Sequence, residues 1–135
     1  MNAILDTGPW VALIDRSESR HTECVQWLKN FSGSLFTTEA VLTEVMYLLN
    51  FSISAQCAAL DFVIESVVEI VPCGNQSLQK TKSLMKKYAD LPMDYADATL
   101  LCLAGDTGIR NIATFDRKDF SIYKVSGKKT FHIMP

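Results

Sequence analysis

The sequence predicts an α/β protein, a three-layer α/β/α sandwich with a short central parallel sheet and an inserted helical hairpin. Short apolar or β-branched segments at 2–5, 67–71 and 111–115 have the length and content of buried strands. Longer segments with apolar residues at helical spacing separate them, which favours parallel pairing with right-handed crossovers. We therefore expect one domain over residues 1–135, with the carboxyl ends of its strands at one edge of the sheet.

The composition is that of an ordinary globular protein. With 48% hydrophobic and 21% charged residues, a chain of 135 residues can bury a core without disulfides. The net charge of −2 argues against binding nucleic acid by bulk electrostatics, but it does not exclude an enzyme with a local basic rim. Four widely spaced cysteines among apolar neighbours predict buried, reduced thiols, and no segment of about 18 apolar residues occurs. We expect a cytoplasmic protein without a membrane span.

In the first half of the chain, the strand at 2–5 ends at Asp6, and Pro9 can begin a helix that runs to Ile14. A polar loop at 15–21 follows. Further helices are expected at 18–31, 39–51 and 52–66, around a very short strand at 35–36. The residues expected to face the core are Val41, Val45, Leu48 and Leu49 in the second of these helices, and Cys57, Leu60, Val63 and Ile64 in the third.

In the second half, Pro72 and Gly74 end the strand at 67–71, and a lysine-rich helix follows at 77–89. The next helix begins at residue 94 or 95, continues to 107 and is closed by Gly108. It is apolar nearly all round, which predicts deep burial. The strand at 111–115 ends at Asp116, and a polar tail finishes with a small edge strand at 131–133.

Three aspartates stand out against this pattern. Asp6 and Asp116 follow separate strands, so a parallel sheet would bring both to one edge, although such residues often serve only as turn formers. Asp97 lies in the first turn of an otherwise apolar helix. Its alternative role is a capping partner of Asp94 at the helix start.

Two further positions are more ambiguous on pattern alone. Glu44 lies at the margin of its helix's apolar stripe, about 40° from Leu48 on a 3.6-residue wheel, where a solvated glutamate is equally expected. Asp90 and Asp119 lie in polar loop or helix-end sequence. We interpret both as solvated or capping groups.

Several carboxylates in one place would raise one another's pKa, and a hard divalent ion removes that cost. Mg²⁺ or Mn²⁺ prefers oxygen ligands, and two such ions about 3.5–4 Å apart can serve the attacking and leaving oxygens of a phosphodiester. The two histidines, His21 and His132, have no metal-ligand pattern around them. Zinc is therefore disfavoured.

These residues occur in segments that together resemble the PIN domain family, especially the VapC-type toxins of bacterial toxin–antitoxin systems. The resemblance extends over essentially the whole chain. Each segment is weakly specific alone, whereas four in the same order on the expected elements are fairly specific. The segments are Ile4-Leu5-Asp6-Thr7, Thr43-Glu44-Val45, Asp94-Tyr95-Ala96-Asp97-Ala98 and Ala113-Thr114-Phe115-Asp116.

The resemblance implies a metal-dependent endoribonuclease that hydrolyses RNA with Mg²⁺ or Mn²⁺. Asp94 stands where many members lack an acid, so its role as a ligand stays open beside its role as an N-cap. Thr114 matches the small hydroxyl residue that accompanies the last acid, and Thr7 is a further supporting residue. The residues that match the catalytic and metal-binding acids of the family are Asp6, Glu44, Asp97 and Asp116.

The resemblance also implies partners: single-stranded or loop RNA, a cognate antitoxin that covers the site, and a second copy in a homodimer. Trp10, Trp27 and Phe51 are candidates for such surfaces, although aromatic residues at helical spacing more often belong to a core. For the lysines, a solvated face is the default interpretation. Candidates for a basic rim that binds substrate are Arg117, Lys118 and Arg110, with Lys80, Lys82, Lys86 and Lys87.

Two other functions are compatible with parts of the sequence. The triplet Asp6-Thr7-Gly8 also resembles the active-site loop of aspartic proteases, but that fold is mainly β and this chain offers at least five helical segments. A phosphatase of the haloacid dehalogenase type would need an aspartate at position 8, which is glycine. A non-catalytic PIN-like module that binds RNA or protein is the main alternative, and such modules tend to lose the site acids.

Overall fold

The computed structural model describes residues 1–135. A five-stranded sheet with every neighbouring pair parallel forms its centre, in the order β3-β2-β1-β4-β7, and helices flank it. This is the predicted α/β architecture. The strands are β1 Asn2–Leu5, β2 Ser34–Thr37, β3 Val68–Ile70, β4 Asn111–Ala113, β5 Lys124–Val125, β6 Lys129–Thr130 and β7 His132–Met134. The helices are α1 Thr7–Ile14, α2 His21–Asn30, α3 Glu39–Leu48, α4 Ile53–Ile64, α5 Asn75–Lys87, α6 Tyr95–Thr107 and α7 Arg117–Ile122.

Strand β1 occupies the middle of the sheet. Ile4 pairs with Phe36 of β2 on one side and with Ile112 of β4 on the other, and it is completely buried. A strand covered on both faces needs apolar residues in succession, which explains why β1 does not alternate. The chain leaves the sheet at Asp6, on the edge where β4 also ends.

Helix α6 forms as predicted. Asp94 is its N-cap and accepts a hydrogen bond from the Asp97 amide, while Gly108 ends it in the left-handed conformation at φ 78°. Eight of its 13 residues are buried. Because glycine adopts positive φ without a steric cost, Gly108 allows the chain to turn directly into β4.

The helical hairpin α3–α4 lies between β2 and β3 as expected, but its predicted core face is partly wrong. In α4 the fully buried residue is Ala59, whereas Cys57 and Leu60 are exposed and Ile64 is 75% exposed. Leu48 of α3 is 50% exposed. The packed face of α4 consists of Ala59 with the partly buried Phe62 and Val63, and Phe62 stacks on Trp10 with 6.5 Å between the ring centroids.

The C-terminal region differs most from the prediction. The segment after Asp116, predicted only as a polar tail, forms helix α7 and the antiparallel pair β5–β6. The edge strand is shifted by one residue, to β7, where it pairs in parallel with β4. Smaller differences concern helix ends, since α2 starts at His21 rather than 18 and α3 ends at Leu48 rather than 51.

All four cysteines are free thiols, as predicted. Cys24 and Cys102 are buried, but Cys57 and Cys73 are exposed, so the expectation of four buried thiols is wrong for two of them. None of the helices combines the length and the apolar character needed to cross a bilayer.

Candidate active site

Asp6 is fixed at the carboxyl end of the central strand by two hydrogen bonds. Its Oδ1 accepts from the Thr7 amide at 2.8 Å, which makes it the N-cap of α1, and its Oδ2 accepts from the Thr114 hydroxyl at 2.7 Å. The residue is only 8% exposed. The backbone turn and the neighbouring strand therefore determine the position of this carboxylate together.

Thr7 connects Asp6 to the inserted hairpin. Its hydroxyl donates to Oε1 of Glu44 at 2.8 Å, across 37 positions of sequence. Glu44 lies on α3 and is half-buried. The Glu44 charge is also one of the causes that raise the pKa of Asp6, which places the two carboxylates near each other.

Thr114 links the central strand to the next one. It is completely buried, and its hydroxyl donates to Asp6 while it accepts from the Asp116 amide at 3.1 Å. Asp116 in turn caps α7, because its Oδ1 accepts from the Asp119 amide at 3.1 Å. A continuous chain of hydrogen bonds therefore joins the ends of β1 and β4.

A second group of acids comes together beside this chain. Asp97 from the first turn of α6 meets Asp116 and Asp119 at the start of α7, and one carboxylate oxygen of each lies within 4.8 Å of the others. All three residues are half-buried. Tyr123, at the end of α7, donates from its hydroxyl to Oδ2 of Asp97 at 3.3 Å.

The local electrostatics reflect this crowding. Burial, then the charges of Asp94, Asp6 and Asp116, raises the pKa of Asp97 from 3.8 to about 8. Burial is also the largest cause that raises the pKa of Asp6 to about 6, against the lowering effect of its hydrogen bonds. Both side chains are therefore acids whose ionised forms lack a compensating positive charge.

The donor set fits a hard divalent cation. Neither of the protein's two salt bridges involves Asp6, Glu44, Asp97 or Asp116, so none of these four acids is paired with a lysine or an arginine. The atoms that face one another are carboxylate oxygens, the ligands preferred by Mg²⁺ and Mn²⁺. Asp94 caps α6 and also raises the pKa of both Asp6 and Asp97, so it contributes negative charge to the same place.

The cations considered for a substrate rim lie in different places. Burial, then the charge of Asp116, raises the pKa of Asp119, and the charge of the neighbouring Lys118 opposes this only in part. Arg117 donates to the carbonyl of Pro135 at the C-terminus. Arg110 precedes β4, so it lies at the opposite, amino-terminal edge of the sheet, and the rim position expected for it is wrong.

Sequence reasoning missed two residues at this site. Asp119 was expected to be solvated or capping, and Tyr123 was not considered. Asp119 lies in the first turn of α7 and Tyr123 is the C-cap of that helix, which the sequence pattern does not predict. The available signal was Asp116 followed by an acid three residues later and then by Phe120, a spacing typical of a capped helix start.

The chain matches known proteins over nearly all of its length. The family model described as "PIN domain" matches residues 3–126. Ribonuclease VapC26 of Mycobacterium tuberculosis is 27% identical over 134 residues, which cover 98% of this chain and 99% of that protein.

Solved structures share the fold. VapC20 of Mycobacterium tuberculosis, described as a sarcin-ricin loop cleaving toxin, superposes with a TM-score of 0.79 at 22% identity, over 86% of this chain and 91% of that one. A chain of a toxin–antitoxin complex from Klebsiella pneumoniae superposes with a TM-score of 0.66 at 20% identity, over 98% of this chain and 99% of the other. These two matches show a shared fold. Because the family model matches residues 3–126, almost the whole sequence, the chain belongs to the PIN domain family.

Proposed function

We propose that the protein is a metal-dependent endoribonuclease and the toxin of a toxin–antitoxin pair. The observation that carries this proposal is the meeting of Asp97, at the start of α6, with Asp116 and Asp119, at the start of α7. Asp6 lies close enough for its charge to raise the pKa of Asp97, and neither salt bridge of the protein involves these acids. Its family membership and its similarity to a protein named ribonuclease VapC26 support the same activity.

In this proposal Asp6, Glu44, Asp97 and Asp116 form the catalytic and metal-binding set, and Asp119 joins them. A bound Mg²⁺ or Mn²⁺ supplies a water of lowered pKa and positive charge for the scissile phosphate. Asp94 acts as the N-cap of α6 and adds charge from outside that set. Asp97, whose pKa is raised first by burial and then by neighbouring carboxylates, would gain a compensating positive charge from a cation held there.

The remaining polar residues position these acids. The Thr114 hydroxyl donates to one oxygen of Asp6 and accepts from the backbone amide of Asp116. The Thr7 hydroxyl donates to one oxygen of Glu44. Tyr123 restrains Asp97 from the side of α7. Preorganised ligands of this kind avoid the cost of rearrangement during each reaction.

We propose that the protein acts in the cytoplasm and binds three macromolecules there. RNA is the substrate, a cognate antitoxin protein is the inhibitor, and a second copy forms a homodimer. The helical hairpin offers apolar side chains for such contacts: Tyr47, Phe51, Ile53 and Ile64 are each at least 64% exposed. Trp10, considered for the same role, is completely buried.

The free thiols, two of them exposed, fit the reducing cytoplasm.

Of the alternatives, the aspartic protease fails because the sheet is parallel and seven helices are present. A non-catalytic binding module is the second candidate. The presence of all the matched acids argues against this alternative. Carboxylates that bind no metal would repel one another and destabilise the protein without contributing to its function.

The deciding experiment is cleavage of a structured RNA with Mg²⁺ or Mn²⁺, compared with EDTA and with Asp97→Asn and Asp116→Asn. We expect products only with metal and a rate at least about 100-fold lower in both variants. Asp61→Asn, an exposed change on α4, serves as the matched control and should cleave like the wild type. Equal cleavage by all proteins in EDTA would reject the assignment.

A further inference from the structure

Positive charge is strongly segregated in this acidic protein. Seven of its 13 basic residues lie on α5 and on the β5–β6 hairpin, and neither 75–89 nor 123–131 contains an Asp or Glu. The rest of the chain holds the other six basic residues and all 15 acidic ones. We call this surface the basic face; its lysines are Lys80, Lys82, Lys86, Lys87, Lys124, Lys128 and Lys129.

The two parts of the basic face form one surface. The Lys124 amide donates to the Tyr88 hydroxyl at 3.0 Å, and the rings of Tyr88 and Tyr123 are 5.1 Å apart. The Lys87 Nζ reaches the turn of the hairpin, 3.6 Å from where a Cβ on Gly127 would lie. Contacts between segments about 40 positions apart in sequence therefore bring their charges together.

Most of these lysines are exposed and have no acidic partner. Only Lys80 forms a salt bridge, with Asp106 at 2.7 Å. Lys82 and Lys86 are four positions apart on one helix, where like charges are mutually destabilising. An anion bound across the basic face would relieve that repulsion.

The basic face adjoins the candidate active site at two points. Tyr123 precedes the hairpin directly and donates to Asp97. Tyr95, two positions before Asp97 and 45% exposed, lines a groove of about 500 Å³ with Lys82, Met85 and Lys86. An exposed aromatic ring, an apolar floor and two ammonium groups match what an unpaired nucleotide requires, a stacking surface and a charge for its phosphate.

A second concavity lies on the other flank of α5. It has a volume of about 420 Å³, and its polar lining includes Lys80, Lys87, Ser83 and Ser126, together with Asp106, which is paired with Lys80 at 2.7 Å. Hydroxyl and ammonium groups are donors suited to phosphate oxygens. Both flanks of α5 thus present donors for a polyanion.

We propose that the basic face is the docking surface for the RNA strand beyond the cleaved bond, with bases in the Tyr95 groove and phosphates along α5 and the hairpin. This inference rests on the proposed ribonuclease function. A nucleic acid fits better than an acidic peptide, because the groove pairs its cations with an aromatic ring and an apolar floor.

The test is binding of a fluorescein-labelled, 20-nucleotide single-stranded RNA, measured by fluorescence anisotropy in EDTA. The test variant is Lys82→Gln/Lys86→Gln/Lys129→Gln. The control Arg16→Gln/Lys29→Gln/Arg110→Gln removes the same charge from exposed positions elsewhere. We expect the test variant to bind at least about tenfold more weakly at 50 mM KCl, with a salt slope smaller by about 2, against less than about a twofold change in the control.

The arginine variant Lys82→Arg/Lys86→Arg/Lys129→Arg should keep wild-type affinity, and circular dichroism checks that each protein is folded. Equal losses in test and control variants, or unchanged affinity in the test variant, would overturn the proposal. Competition by an oligoglutamate of equal charge as strong as that by unlabelled RNA would also overturn it, in favour of an acidic protein partner. Binding in EDTA is independent of cleavage, so this result and that of the cleavage assay can fail separately.

Discussion

Asp97 occupies a position where ionisation is unfavourable in the metal-free protein. Burial and three neighbouring carboxylates raise its pKa to about 8, and its own hydrogen bond from Tyr123 offsets this only in part. The charged form of such a side chain lowers the stability of the folded protein, a trade-off between stability and activity that is common at functional sites. The same cluster of negative charge would attract and bind a divalent cation.

The first prediction concerns pH. The folded protein keeps a proton on Asp97 up to pH about 8, whereas the unfolded chain releases it near 3.8, so metal-free stability should fall as pH rises through this window. Asp6 adds the same trend up to pH about 6. Melting temperatures in EDTA from pH 5 to 8 should fall less in Asp97→Asn than in the wild type. Identical slopes in the two proteins would contradict the pKa assigned to Asp97.

The second prediction concerns Thr114→Val, which keeps the shape of the side chain and removes its hydroxyl. Asp6 and the Asp116 amide each lose a buried partner, so the free energy of unfolding should fall by about 1–3 kcal/mol. RNA cleavage should slow by about 10-fold to 100-fold because the acids lose their relative positions.

Thr99→Val is the matched control for that change. Thr99 is equally buried, and its hydroxyl bonds to that of Thr38 instead of to a site acid. Denaturant unfolding should show a similar loss of stability, while the cleavage rate per folded molecule stays close to that of the wild type. A control that loses cleavage to the same extent would show that Thr114 acts only through stability.

At the scale of elements, the start of α1 depends on a close contact with the segment after β4. A Cβ on Gly8 would lie 2.7 Å from Cδ2 of Phe115, although alanine normally suits a helix better than glycine. Gly8→Ala should therefore lower the free energy of unfolding by about 1–3 kcal/mol. Adding Phe115→Leu should restore part of the loss in chemical denaturation, whereas additive losses would show that the contact is not responsible.

Local patterns predicted the elements whose signals are local. The α6 helix has an N-cap, a C-terminal glycine and an apolar sequence, and it forms as expected. The core face of α4 could not be predicted in the same way, because its fully buried residue is the small Ala59, whereas Leu60 and Ile64 are exposed. Helix α7 is short, and its packing depends on Phe120 meeting Phe131 at 5.4 Å between ring centroids, a contact that sequence periodicity does not reveal.

The candidate site was predictable to a similar extent. Strand ends and a buried helix start identified Asp6, Asp97 and Asp116 as unusual, and the family resemblance added Glu44. The places of Asp119 and Tyr123 depend on how α7 turns back towards α6, which is a tertiary property. The same holds for the basic face, since the hairpin lysines join those of α5 only in the folded chain.

At the scale of the whole molecule, the hairpin α3–α4 exposes large apolar side chains on its surface. Phe51 is 64% exposed at the tip of this hairpin, next to Ile53 at 75%. If a second copy covers it, Phe51→Ser should shift the protein to monomers in size-exclusion chromatography with light scattering, with little change in monomer stability. A wild type that is already monomeric at micromolar concentration would contradict the homodimer.

In the proposed site, carboxylates from distant parts of the sequence share one divalent cation. Isothermal titration of the metal-free protein with Mn²⁺ tests this most directly. We predict saturable binding by the wild type and by Asp90→Asn, whose carboxylate belongs to an exposed turn, and an affinity at least about tenfold lower in Asp97→Asn and Asp116→Asn. Equal Mn²⁺ affinity in all four proteins would contradict the proposed metal site.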